Sequence, residues 1–106
     1  MEEELLGKVR AYVERAERRL REGRLDAAYD SYMDALRAIA GYLVYRDSGM
    51  LLSGEELMGI IVARYGKVYS IIRRYEGVTE MDEETLRALK SDTKDLMERV
   101  LPKHWK

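Results

Sequence analysis

Cysteine, asparagine and glutamine are absent from this chain of 106 residues, and proline occurs once, at Pro102. Without cysteine, the chain has no disulfide, no thiolate metal ligand and no cysteine nucleophile. The lack of thermally labile amide side chains predicts a hyperthermophilic source. No apolar run approaches the roughly 20 residues that span a bilayer, and the acidic start Met1–Glu4 is unlike a signal peptide, so we expect a cytoplasmic protein.

Neither sign of charge dominates, because 19 lysines and arginines face 20 aspartates and glutamates and give a net charge of −1. This balance disfavours a dedicated polyanion binder but leaves room for a local basic patch. One histidine and no glycine-rich phosphate loop leave little scope for a triad, a zinc site or nucleotide hydrolysis. We therefore expect a single domain over residues 1–106 with no metal, no cofactor and no catalytic residue.

Apolar residues recur with the helical period, and strand-like alternation is absent, which predicts an all-α fold. The predicted helices cover about 3–22, 25–46 and 54–75, with a fourth that starts between Thr79 and Asp82 and stops at Pro102. Short connections between them favour an antiparallel four-helix bundle. The segment Ser53–Glu56 has the form of a capping box, Gly77 is placed to close the third helix, and Asp82 is a candidate N-cap.

The third predicted helix is unusually apolar around its circumference. At 100° per residue, its large apolar residues from Leu57 to Tyr75 cover an arc of roughly 200°, more than a surface helix needs, with Arg64 inside that arc. The surplus predicts an interface with a second copy or another protein, anchored by Met58, Val62, Arg64, Tyr65, Tyr69 and Tyr75. The alternative is an irregular bundle in which the tyrosine hydroxyls at the edges of the arc reach water.

The same helix also carries basic and aromatic residues together. From Ile60 to Tyr75 there are four cations, three tyrosines and no acidic residue. Cations that meet phosphates, beside rings that stack on bases, suit single-stranded nucleic acid, which makes Lys67, Arg73 and Arg74 an alternative binding set. Tyrosine with arginine is also typical of protein interfaces, and the net charge favours that interpretation.

Two further patterns have simple structural interpretations. Asp26, Asp30 and Asp34 repeat every four residues on the predicted second helix, where a solvated face neutralised by Arg37 is favoured over a cation site. The apolar segment Met50–Leu52 lies in a connection, and it either folds under the end of the bundle or adds to an interaction surface.

Residues 13–60 resemble the first two helices of HEPN domains, through the turn at Gly23, the second helix rich in alanine and tyrosine, and the exit Tyr45–Gly49. The resemblance implies a small helical bundle of a kind that is commonly dimeric and is often paired with nucleotidyltransferases or built into RNA-cleaving toxins. The ribonuclease members carry an arginine followed by a histidine after four to six residues, and here Arg99 and His104 match that spacing.

The first hairpin also resembles a single tetratricopeptide or microtubule-interacting-and-transport unit, with Gly23, Ala28, Tyr32 and Ala35 in register. Those units are peptide-binding helical modules. Together, these patterns predict a non-catalytic accessory subunit that self-associates or docks on a larger, nucleic-acid-processing partner. The alternatives are a metal-independent ribonuclease that uses Arg99 and His104, and a protein that binds single-stranded nucleic acid directly.

Overall fold

The computed structural model describes residues 1–105, in which every regular element is a helix, so the predicted all-α class is confirmed. The helices are α1 (Glu2–Arg21), α2 (Leu25–Ser48), α3 (Gly54–Arg64), α4 (Gly66–Tyr75) and α5 (Glu83–Val100), and a 3₁₀ turn follows at Lys103–Trp105. Across residues 1–105, no helix has the length and apolar character needed to cross a membrane.

Helix α2 is the centre of the fold and packs against α1, α3, α4 and α5. Its inward side chains include Tyr32, Leu36 and Ile39, all with no exposed surface, and Tyr42, which is 1% exposed. Small residues such as Ala28 and Ala40 alternate with these large ones, which lets neighbouring helices approach α2 closely. The core therefore lies around a single long helix.

The turn between α1 and α2 follows the prediction made from Gly23. This glycine has a φ of +74°, in the left-handed region that side chains with a Cβ rarely adopt. Arg19 donates a hydrogen bond from Nη1 to Ser31 Oγ at 2.8 Å and so ties the end of α1 to the first turns of α2. The hairpin is thus fixed both by its backbone and by a contact across it.

The predicted helix over 54–75 is wrong as a single element, because the structure divides it into α3 and α4 at Tyr65. Tyr65 has φ −125° and ψ 59°, outside the helical region, and Gly66 follows it directly. A glycine inside a helix costs about 1 kcal/mol relative to alanine, so this position is a weak point in any continuous helix. The described residues consequently hold five α-helices where four are predicted.

Of the three predicted signals at helix ends, two are confirmed and one is wrong. Asp82 is the N-cap of α5 and accepts a hydrogen bond from the Thr85 backbone N–H at 2.7 Å, which also lowers the pKa of this carboxyl. Gly77 has the expected left-handed backbone, with φ +81°. The capping box at Ser53 is wrong, because Ser53 precedes α3 without making a side-chain capping bond.

Candidate functional site

The break between α3 and α4 is fastened to the end of α2. The Tyr65 hydroxyl donates a hydrogen bond to Asp47 and lies 3.3 Å from the Leu43 carbonyl oxygen. Arg46 donates to the same carboxylate, with 2.8 Å between Nε and Oδ1. Hydrogen bonds from Arg46 and then Tyr65 lower the pKa of Asp47. This network compensates for the irregular backbone and sets the direction in which α3 leaves α2.

A shallow groove of about 220 Å³ runs between the end of α2, the following connection and α3. Its apolar wall consists of Val44, Met50, Leu52 and Ile60, and its polar rim consists of Asp47, Ser48, Arg64 and Tyr65. The connection stays in place because Gly49 ends α2 in a left-handed conformation and Ser48 Oγ accepts a hydrogen bond from the Met50 N–H at 3.2 Å. We call this feature the α2–α3 groove.

Four large apolar side chains of the described residues are more than half exposed, namely Met1, Met50, Leu51 and Val62. Met50 lines the α2–α3 groove, and Leu51 follows it in the same connection. Met1 lies towards the same part of the molecule, because the neighbouring Glu2 accepts a hydrogen bond from Tyr42 in the second half of α2. We call these four residues the apolar end. Exposed apolar side chains of this size favour an interaction surface.

The predicted partner-binding residues separate into three groups by exposure. Val62 and Arg64 are exposed, and Met58, Tyr65 and Tyr69 are half-buried. Arg64 makes no ion pair with any carboxylate in residues 1–105, and it lies on the rim of the α2–α3 groove. The sixth residue, Tyr75, is 4% exposed and lies in the core. This placement corrects the prediction that Tyr75 is a surface anchor.

The location of Tyr75 has a clear physical cause. Its hydroxyl donates a hydrogen bond to Asp92 on α5 at 2.6 Å, and Arg74 Nη1 lies 2.7 Å from the same oxygen. Burial, followed by this hydrogen bond, raises the pKa of Tyr75 to about 12. Tyr75 therefore joins α4 to α5, and Arg74 has its charge balanced by Asp92.

A second groove, of about 200 Å³, lies between α4 and α5. Each helix contributes four residues at helical spacing, namely Lys67, Ser70, Ile71 and Arg74 from α4 and Asp92, Asp95, Leu96 and Arg99 from α5. The structure thus brings together two of the three predicted nucleic-acid-binding cations, while Arg73 is exposed elsewhere on α4. Three cations and two carboxylates leave this groove with a net charge of +1.

The predicted ribonuclease pair is divided between two elements. Arg99 belongs to the last turn of α5, whereas His104 lies in the 3₁₀ turn beyond Pro102, because α5 ends at Val100. On α2, the expected neutralisation of the aspartate row is confirmed at Asp34, which lies 3.6 Å from Arg37. In residues 1–105, no three potential ligands among histidine, aspartate and glutamate converge as a metal site would require.

Comparisons with models of known protein families, with curated proteins and with solved structures find no match for this chain. The resemblances to HEPN domains and to tetratricopeptide units therefore stay predictions.

Sequence reasoning missed the contact between Asp47 and Tyr65, as well as the groove that it supports. These residues are 18 positions apart, and no sequence pattern links them. A signal for the break itself is present in the pair Tyr65–Gly66, because glycine is unfavourable within a helix. A break at that pair divides the apolar residues of 54–75 between two shorter helices.

Proposed function

We propose that this protein is a non-catalytic protein-interaction subunit that self-associates or docks on a larger partner through the apolar end and the α2–α3 groove. The observation that supports this proposal is the exposure of Met50, Leu51 and Val62, of which Met50 lines a groove with an apolar wall. Removal of such side chains from water on binding contributes about 25 cal/mol per Å² of apolar surface. The resemblance to HEPN domains favours a partner that processes nucleic acid.

A charged substitution in the apolar end tests the proposal. The double variant Leu51→Glu/Val62→Glu should lose binding, because a carboxylate buried at an interface without a partner is costly. Both side chains are more than half exposed, so the variant should keep its fold. The measurements are sedimentation for self-association and affinity capture from the host for a second protein, with circular dichroism to verify folding.

The matched control is Ala11→Glu/Ala88→Glu, which also adds two carboxylates, at exposed positions of α1 and α5. The wild type and this control should self-associate or capture a second protein, and the double variant Leu51→Glu/Val62→Glu should do neither. Equal behaviour of all three proteins, or no association of any kind, would contradict the proposal.

A second candidate function, binding of single-stranded nucleic acid, rests on the cations that share the α4–α5 groove. Lys67 and Arg99 have no ion-pair partner within residues 1–105, so their charge is available to a phosphate. Arg74 contributes less, because Asp92 already balances it. The net charge of −1 for the whole chain makes this function second to protein binding.

An oligonucleotide-binding assay distinguishes this second candidate. If it holds, Lys67→Ala/Arg99→Ala should weaken binding of single-stranded RNA about tenfold or more, whereas Arg73→Ala outside the groove should have little effect. Wild-type affinity should also fall steeply as salt increases, since phosphate contacts release counterions. Affinity that is independent of salt, or equal losses in the two variants, would exclude the groove as the binding site.

A further inference from the structure

Helix α3 carries charged residues only near its two ends. Glu56 and Arg64 are exposed, and the seven residues between them have no charged or hydrogen-bonding side chain. Neither residue forms an ion pair within residues 1–105. Eight residues of helix separate them by about 12 Å along the axis, too far for a pair within one helix. Any ion pair that either residue forms must therefore be with a group outside this helix.

One side of α3, beside the α2–α3 groove, is arranged symmetrically about the half-buried Ile60. Glu56, Ile60 and Arg64 follow one another at intervals of four and so share a side of α3. Gly59 and Ala63, both exposed, lie beside Ile60 and add almost no bulk. Glu56 precedes Ile60 by four residues and Arg64 follows it by four, so each charge lies about 6 Å from Ile60 along the axis.

We propose that this face, the Glu56–Arg64 face, binds the same face of a second copy in an antiparallel, two-fold symmetric dimer. With the two-fold axis at Ile60, Glu56 of each copy lies opposite Arg64 of the other, and two intermolecular ion pairs form. Ile60 meets its symmetry mate, and the small side chains of Gly59 and Ala63 let the helix axes approach within the 8–10 Å usual for packed helices. The inference rests on the proposed function and names the partner.

The order of the acidic and basic residues along α3 is the reason for proposing a second copy of this chain, and not an unrelated protein, as the partner. A face with one acid and one base at equal distances from its centre is its own complement when turned end to end. The α2–α3 groove adjoins this face through Ile60 and Arg64, so Met50 in its apolar wall is placed to extend the apolar contact. One pair of short helices with these additions is at the small end of specific interfaces, which predicts a weak, reversible dimer.

Charge reversal tests the arrangement in three steps, with sedimentation measured from micromolar to millimolar protein. The single variants Glu56→Arg and Arg64→Glu should each weaken the dimer about tenfold or more, because two attractive pairs become repulsive. The combined variant Glu56→Arg/Arg64→Glu should recover wild-type association, since the pairs are restored with the charges exchanged. An equimolar mixture of the two single variants should form a heterodimer for the same reason.

The matched controls are Glu55→Arg, the neighbouring exposed acid on α3, and Arg73→Glu, an exposed base on α4. Both change the net charge by the same amounts as the test variants and should leave the dimer intact. A wild type that stays monomeric at every concentration would overturn the dimer. The proposed function would still hold in that case if the wild type captured another protein and Leu51→Glu/Val62→Glu abolished the capture. A dimer whose affinity is unchanged by the charge reversals, or a mixture of the two single variants that stays monomeric, would overturn this pairing.

Discussion

Between pH 10 and 12 the protein should lose up to about 2 kcal/mol of its free energy of unfolding at each of two buried tyrosines, Tyr32 and Tyr75, with less at Tyr75 because water screens its hydroxyl more. Burial is the main cause that raises the pKa of each hydroxyl from 10.0 to about 12. The folded protein then keeps these protons at a pH where the unfolded chain releases them. Stability is therefore complete below pH 10 and falls as the pH rises towards 12.

The experiment is urea unfolding across this pH range, with tyrosinate absorbance followed in parallel. Tyr32→Phe and Tyr75→Phe should each remove part of the alkaline loss, and the double variant should remove more than either. At neutral pH the two differ, because the Tyr32 hydroxyl is buried without a hydrogen-bond partner among residues 1–105, whereas Tyr75 bonds to Asp92. Tyr32→Phe should thus be tolerated and Tyr75→Phe should destabilise. A double variant with the wild-type pH dependence would contradict the assignment.

Two adjacent residues of α3 should respond very differently to truncation. Ile61 has no exposed surface, so Ile61→Ala should lower the free energy of unfolding by about 2–5 kcal/mol through lost burial and the cavity left behind. Val62 is 53% exposed, and Val62→Ala should change stability by no more than about 0.5 kcal/mol. Urea unfolding of dilute protein measures both, and similar losses in the two variants would show that α3 is oriented differently.

The sequence predicts the helical class and most helix ends, because both follow from local patterns. Gly23, Gly77 and Asp82 act where their backbone and capping preferences place them. The orientation of residues 54–75 is not predictable in this way. A single helical wheel assumes one unbroken helix, whereas the chain is divided at Tyr65. Tyr75 lies five full turns after Leu57 and so on the same side of that wheel, and both residues are buried, which the choice of Tyr75 as a surface anchor overlooked.

The candidate site was partly predictable for the same reason. Val62 and Arg64 lie before the break, where the predicted helix is correct, and both are exposed as an interface requires. The groove beside them depends on Asp47 and Tyr65, and on the position of Met50–Leu52, which are tertiary contacts without a local signature. The α4–α5 groove likewise joins Lys67 and Arg99, which are far apart in sequence.

The central position of α2 has a consequence for how the chain folds. Its most extensive packing is with α1, the helix immediately before it, through a turn of three residues. Contacts between neighbours in sequence cost little loop entropy, and proteins rich in them fold quickly. The α1–α2 hairpin is thus suited to act as a nucleus on which the later helices condense. Helix α3, with Leu57 and Ile61 as its buried residues, gains its order from that nucleus.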